Sequence, residues 1–280
     1  DSSSTPVIQI ESAMGAAIEV FDGATAICVG RDRFLPVKTT NELLLLRSDA
    51  YDLDDAGHLV LRAAASPEIS LGKAYKTVQE FERRIAERTG VKHCVAMCNA
   101  TIALEIAIRA LGLSGEVIVP SWTFVATAHA LYWQGIMPVF ADIAPATHNL
   151  DPDAVRRMIT PRTTGIIGVH LWGRAAPVDE LQAIADEHGL KLMFDAAHAF
   201  GSSYKGESIG RFGACEVFSF HATKAFNTME GGAVVTNDDE LAEAMRLMRN
   251  FGFNGYDNVI HPGTNGKMIE VCAAMGLANL

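Results

Sequence analysis

Apolar positions along the chain change rhythm near residue 83. Beyond it, short and almost wholly apolar runs bounded by Gly, Pro or Asp alternate with longer segments whose apolar residues recur at helical spacing. Glu116–Val119 (stopped by Pro120), Pro138–Ala141 (ended by Asp142), Thr164–His170, Lys191–Asp195, Val217–Phe220 and Gly232–Thr236 predict strands. Thr101–Leu111, a segment opened by Asp151-Pro152, Val178–His188 before Gly189, Asp238–Asn250 before Phe251-Gly252, and the run Glu270 to Leu280 predict helices. Upstream, Ala26–Val29 and His58–Leu61 predict strands. Glu11–Glu19 and Thr40–Arg47 predict helices, the latter with Asn41 as N-cap, and a hydrophilic stretch, Ser48–Gly57, separates the last two elements. Strands alternating with helices predict an α/β fold, a mainly parallel sheet flanked by helices, preceded by a small α/β fragment. The chain begins without Met and ends inside a helical run, as a piece of a longer chain would.

Composition narrows the function classes. With 49% hydrophobic and 20% charged residues, the 280-residue chain can build a sizeable core. A net charge of −10 argues against general nucleic-acid binding, although a few backbone amides can still hold one phosphate. Cys28, Cys94, Cys98, Cys215 and Cys272 are dispersed, which predicts reduced thiols and a cytoplasmic location; Cys94 and Cys98 lack a second pair at metal-ligand spacing, so no metal is expected. No apolar stretch reaches the ~18 residues of a membrane span.

Open α/β sheets gather ligands at the carboxyl ends of their strands. Asp195 ends one predicted strand, Ser219 and His221 end another, and Asn99 and Thr101 open a helix after Cys94-Val-Ala-Met97. Lys224 follows in Ser219-Phe-His-Ala-Thr-Lys224. These are the parts that pyridoxal 5'-phosphate requires: an amine for its aldehyde (Lys224), a carboxylate for its ring nitrogen (Asp195), and a helix N-terminus with hydroxyls for its phosphate (Ala100, Thr101, Ser219). A flat side chain should cover the ring, Trp122 or Phe124, and His198 is placed to reach its phenolic oxygen. Taken singly, each has a plainer use: a solvated lysine, a capping Asp or Thr, core histidines, core aromatics. Their joint occurrence at strand ends carries the assignment.

Seven pieces, in order, resemble the PLP-dependent nucleotide-sugar aminotransferases of the DegT type: Asn99-Ala-Thr-Ile-Ala-Leu104, Pro120 to Thr127, Val169-His-Leu-Trp-Gly173, Phe194-Asp-Ala-Ala-His-Ala199, Ser219 to Lys224, Glu230-Gly-Gly-Ala233 and Gly263 to Glu270. The resemblance covers about 83–280. It implies the fold type I large domain, truncated at its C-terminus, with Lys224 condensing with the cofactor and also moving the proton between substrate and cofactor carbons. It further implies Asp195 at the pyridine nitrogen, His198 by the phenolic oxygen, Phe124 rather than Trp122 on the ring, and Ala100, Thr101 and Ser219 at the phosphate. Asn265 resembles the asparagine that reaches the neighbouring subunit's phosphate, which implies a homodimer. His221-Ala-Thr-Lys224 with Gly263-Thr-Asn-Gly-Lys-Met268 is similar to the subset acting on dTDP-4-keto-6-deoxy sugars, with glutamate as amino donor; Asn99 and Gly266-Lys267 depart from the commoner Ser and aromatic-Arg pair.

Residues 1–80 instead resemble the C-terminal half of UTP–glucose-1-phosphate uridylyltransferases, through Gln9 to Ile18, Arg31 to Leu44 and Lys73 to Glu82, with a join expected near 78–88. There the resemblance implies that Lys38 meets a sugar-nucleotide phosphate, but the Gly-rich nucleotide-binding half has no counterpart. Two further expectations therefore stand beside the enzyme: a UDP-glucose-binding module, and an inactive fusion. A sugar-dehydrating relative would carry His in place of Lys224.

Overall fold

The computed structural model describes residues 51–55, 59–62, 77–255 and 258–280. The expected elements at 11–19, 26–29 and 40–47, with Lys38 and Asn41, lie outside the described residues. The chain divides into two units, residues 1–71 and 72–280. In the first, Tyr51–Leu53 (β1) pairs antiparallel with Leu59–Leu61 (β2). β1 lies inside the stretch expected to be a polar separator, because three residues give no readable periodicity until the partner strand is known.

The second unit opens with a helix absent from the expected elements, Thr77–Thr89 (α1), running across the expected join. It is followed by His93–Met97 (β3), Ala100–Ala110 (α2), Glu116–Pro120 (β4), Ala126–Tyr132 (α3), Met137–Ala141 (β5) and Pro152–Met158 (α4). Then come Thr163–Val169 (β6), Val178–His188 (α5), Lys191–Asp195 (β7), and a hairpin of Ser203–Tyr204 (β8) with Glu207–Ser208 (β9). Glu216–Ser219 (β10), Gly232–Thr236 (β11), Asp239–Met248 (α6) and Glu270–Asn279 (α7) complete it. Several expected boundaries shift: Phe220 falls outside β10, His170 leaves its strand to start a turn, and the helix expected over Asp238–Asn250 has Asp238 as its N-cap and ends at Met248. Phe251 and Gly252 beyond it both take left-handed backbone, with φ 60° and 80°.

Seven strands form one sheet in the order β3-β11-β10-β7-β6-β4-β5. Only the β11 pairings, with β10 and β3, are antiparallel. The strands are apolar on both faces because both are covered. Val95, Met97, Met193, Val217 and Val234 pack under α2, α3 and α6. Their neighbours point the other way, Cys94, Ala96, Phe218 and Val235 toward α1 and α7, and Leu192 and Phe194 toward α4 and α5. The α1–α7 contact is close: a Cβ at Gly276 would sit 2.4 Å from the Phe81 ring. Glu270 ties the helix starts together, its carboxylate accepting from Val78 N at 3.1 Å.

Asn99 caps α2 from an extended backbone, its Oδ1 accepting from Ile102 N at 2.9 Å. Asn99→Ala is expected to cost about 1 kcal/mol, a fall of roughly 2–4 °C in a thermal melt; an unchanged Tm would show the cap contributes nothing. The start of β11 lies directly under this cap. A Cβ at Gly232 would come within 2.5 Å of Ala100 N, so only glycine admits the approach that brings α2 down onto the sheet edge.

Candidate active site at the carboxyl edge of the sheet

The parallel strands β6, β7 and β10 all end on one side of the sheet, and α2 begins there. A cavity of about 490 Å³ opens at that edge, lined among others by Ala100, Thr101, Phe124, Asp195, His198, Ser219 and Lys224. The residues that the family resemblance implies for the site are all among them except Asn265. That residue is exposed on a backbone bridge to Asn250 and does not line the cavity of its own chain. Of the two aromatic candidates, Phe124 lines the cavity and Trp122 does not.

Asp195, at the end of β7, is buried. Its Oδ2 accepts from Thr127 Oγ1 at 2.8 Å and its Oδ1 from Ala197 N at 3.0 Å. Thr127 is itself fully buried and lies 3.1 Å from Thr123 Oγ1. Because its one hydroxyl proton is given to Asp195, Thr123 is the donor in that second bond. The relay orients the carboxylate before any ligand arrives. Sequence reading quoted Thr127 within a motif but gave it no task, since a bond across 68 positions has no local signature.

Lys224 sits in the crossing from β10 to β11, its N–H held by His221 O at 2.9 Å. Burial pushes its ammonium pKa below the ordinary lysine value, opposed by the Asp195 charge. His198 is likewise lowered, first by burial and then by the Lys224 charge, against an opposing pull from the Asp195 charge; the net shift favours the neutral ring. At the start of α2, Asn99 takes up the Ile102 and Ala103 amides, and among the described residues nothing accepts from the amides of Ala100 and Thr101. They border the cavity with Ser219, an arrangement suited to an anion.

Beneath the site lies a buried pair that sequence reading missed. His170 and Glu216 side chains are fully enclosed, Nε2 to Oε2 at 3.0 Å. His170 Nδ1 accepts from Ala176 N at 3.0 Å, which puts the ring proton on Nε2, facing the carboxylate. Glu216 Oε1 accepts from Gly210 N and Phe212 N, both at 2.8 Å. His170 N also donates to Asp195 O at 2.9 Å, so the pair and its backbone join the ends of β6 and β7 to β10.

Residues 59–280 match the model of the DegT/DnrJ/EryC1/StrS aminotransferase family. Residues 1–103 match that of UTP–glucose-1-phosphate uridylyltransferase, so the two matches overlap over 59–103. A dTDP-4-amino-4,6-dideoxy-D-glucose transaminase of Shigella dysenteriae is 45% identical over 202 residues, 72% of this chain and 55% of that protein. The solved structure of DesI with its TDP-sugar product is 56% identical with a TM-score of 0.70, covering 73% of this chain and 52% of DesI. A Bacillus subtilis protein, ntda, solved with bound cofactor PMP, is 32% identical with a TM-score of 0.68, over 72% of this chain and 47% of its own. The chain thus spans about half the length of the proteins it matches. With its large-domain sheet, and with a match over four-fifths of its length, the chain belongs to the DegT/DnrJ/EryC1/StrS aminotransferase family.

Proposed function

We propose that residues 83–280 are the large domain of a pyridoxal phosphate-dependent aminotransferase. The amino group passes from glutamate to the keto group of a nucleotide-linked deoxysugar of the dTDP-4-keto-6-deoxyhexose type. One observation carries the reading: a half-buried lysine with a disfavoured charge shares a cavity with a buried, pre-oriented carboxylate and an open helix N-terminus.

The donor set fits the cofactor. Bound in this cavity, pyridoxal phosphate supplies an aldehyde for the substrate amine and an electron-withdrawing ring. Ala100 and Thr101 amides and the Ser219 hydroxyl would hold its phosphate. Asp195, with both oxygens already fixed, would keep the ring nitrogen protonated. His198, neutral, would offer one N–H to the phenolic oxygen, and Phe124 would cover a ring face. Lys224 Nζ would take a proton from the donor's α-carbon and return it on the other side of the exchange, which its lowered pKa favours. Asn265, exposed on its own chain, would act across a homodimer. A second copy also accounts for the exposed Tyr132, Trp133, Met137 and Phe140 around edge strand β5. A cytoplasmic location fits the four free cysteines among the described residues.

Adding pyridoxal phosphate is expected to give a visible band that borohydride removes, fixing the label on Lys224 in a peptide map. Condensation needs the neutral amine, so the capture rate should rise with pH through a midpoint below that of free lysine. No band, or a midpoint at the free-lysine value, would sink the assignment. The match of residues 1–103 to a uridylyltransferase model supports a second reading, a UDP-glucose-binding N-terminal fragment of about residues 1–80. Calorimetric binding of UDP-glucose that Lys38→Ala abolishes and pyridoxal phosphate leaves untouched would favour it.

A further inference from the structure

Behind Lys224 lies a smaller cavity of about 300 Å³. One wall, with His198, Ser219 and Lys224, is shared with the larger cavity; the other is apolar, with Trp172, Phe200 and Phe226. Trp172 is unusual there in two ways. It is 67% exposed, and it holds a left-handed backbone, φ 52° and ψ 31°, that a bulky side chain rarely adopts.

The turn that imposes this is clamped from several sides. Buried Asn149 accepts from Leu171 N at 3.3 Å and donates to Ala175 O at 2.7 Å, bracketing the indole in sequence. His170 N is tied to Asp195 O at 2.9 Å. Gly173, also left-handed at φ 82°, lets the turn rest on the His198 backbone, since a Cβ there would lie 3.2 Å from His198 O. His148 stands beside the indole, ring centroids 6.1 Å apart and tilted 55°. A strained, mostly exposed tryptophan adds little to the core; such strain persists where a ligand uses the side chain.

We infer that Trp172 is the platform on which the deoxyhexose ring of the nucleotide-linked substrate lies, presenting its keto carbon toward Lys224. The inference rests on the function proposed above and adds a binding residue to it. A cavity of about 300 Å³ is at the small end of ligand sites, sized for one ring. Among the described residues, Lys224 and His198 are the only basic groups in its lining, which suits an uncharged ring and not a diphosphate. The apolar face and 6-methyl group of a deoxyhexose match the indole and the two phenylalanines.

The test is calorimetric titration of the pyridoxal phosphate-treated chain with dTDP-4-amino-4,6-dideoxy-D-glucose, with dTDP alone and with glutamate. Trp172→Gly should weaken the amino-sugar nucleotide roughly tenfold, the effect of uncovering one ring face, and Trp172→Phe should weaken it less. dTDP and glutamate should bind all chains alike. The melting temperature of Trp172→Gly should not fall, because glycine accepts the left-handed backbone. Equal weakening toward dTDP, no weakening at all, no binding by the unmodified chain, or a stability loss parallel to the binding loss would each overturn the inference. The visible cofactor band is read separately, so failure of the aminotransferase reading is distinguishable from failure at Trp172.

Discussion

A Lys224→Ala chain is expected to lose amino transfer by about 10³-fold or more while keeping its fold. Under the function proposed above, two tasks would fall on the same Nζ, condensation with the cofactor and proton movement, and neither Asp195 nor His198 is suited to take over. Asp195 is an acceptor fixed by Thr127 and Ala197, and His198 carries a lowered pKa. The backbone bonds at position 224, from its N–H to His221 O and from Asn227 Nδ2 to its carbonyl, survive truncation to alanine. Lys224→Arg is the informative control, keeping a cation but unable to condense. The measurement is turnover of dTDP-4-keto-6-deoxyglucose with glutamate, alongside borohydride labelling. Lys267 provides the competing outcome. Its pKa is also lowered, by burial and by Arg249, yet it bonds Asn250 Oδ1 at 2.9 Å and does not line the cavity. Label found on Lys267, or transfer retained by the alanine chain, would overturn the assignment to Lys224.

The second large effect is on stability. Glu216→Ala strips the partner from three N–H donors at once, the enclosed ones of His170 and Gly210 and the part-buried one of Phe212. Leaving these three donors without their acceptor costs about 3–5 kcal/mol in all, a fall in Tm of roughly 6–20 °C for a unit of this size. Glu216→Gln should also destabilise, though less. Its oxygen can still take the Gly210 and Phe212 amides, but its NH₂ then faces the His170 Nε2 proton, donor against donor. The ring cannot escape by moving that proton to Nδ1, which is already taken by Ala176 N–H. A melt in which the Gln chain matches the original would show that the tautomer is not set this way.

Much of this site was legible because its residues sit at punctuation. Asp195 and Ser219 end apolar runs, and Thr101 opens one, so periodicity alone placed them on one sheet edge. The supports were not legible, for a physical reason: each acts across the chain. Thr127 meets Asp195, His170 meets Glu216 and Asn149 meets the Trp172 turn through bonds that span 22 to 68 positions and need no local pattern. The short helix α3 hid for a related reason. In α3, Thr127, Ala128, Ala130 and Leu131 are all buried, so no polar stripe marks the period. α1 is a different case: Val78, Phe81 and Ile85 recur at helical spacing among charged residues, a legible stripe that lies across the expected join and was not drawn as an element.

The place of β3 in the sheet also sets when the site can exist during synthesis. β7, β6, β4 and β5 pair among themselves, so a nascent chain delivered through Asp195 holds everything those four strands need. β3 is made before any of them, yet its neighbour is β11, with His93 opposite Thr236. β3 therefore waits unpaired on the ribosome for more than a hundred residues, the kind of apolar segment that chaperones bind. Gly232 arrives in that same last strand, and with it the seat for the start of α2. The helix end offered to an anion is thus brought to the loop carrying Lys224 in one late step, so a chain halted before β11 would carry Asp195 and Ser219 on paired strands but lack the seat that sets the start of α2 beside them.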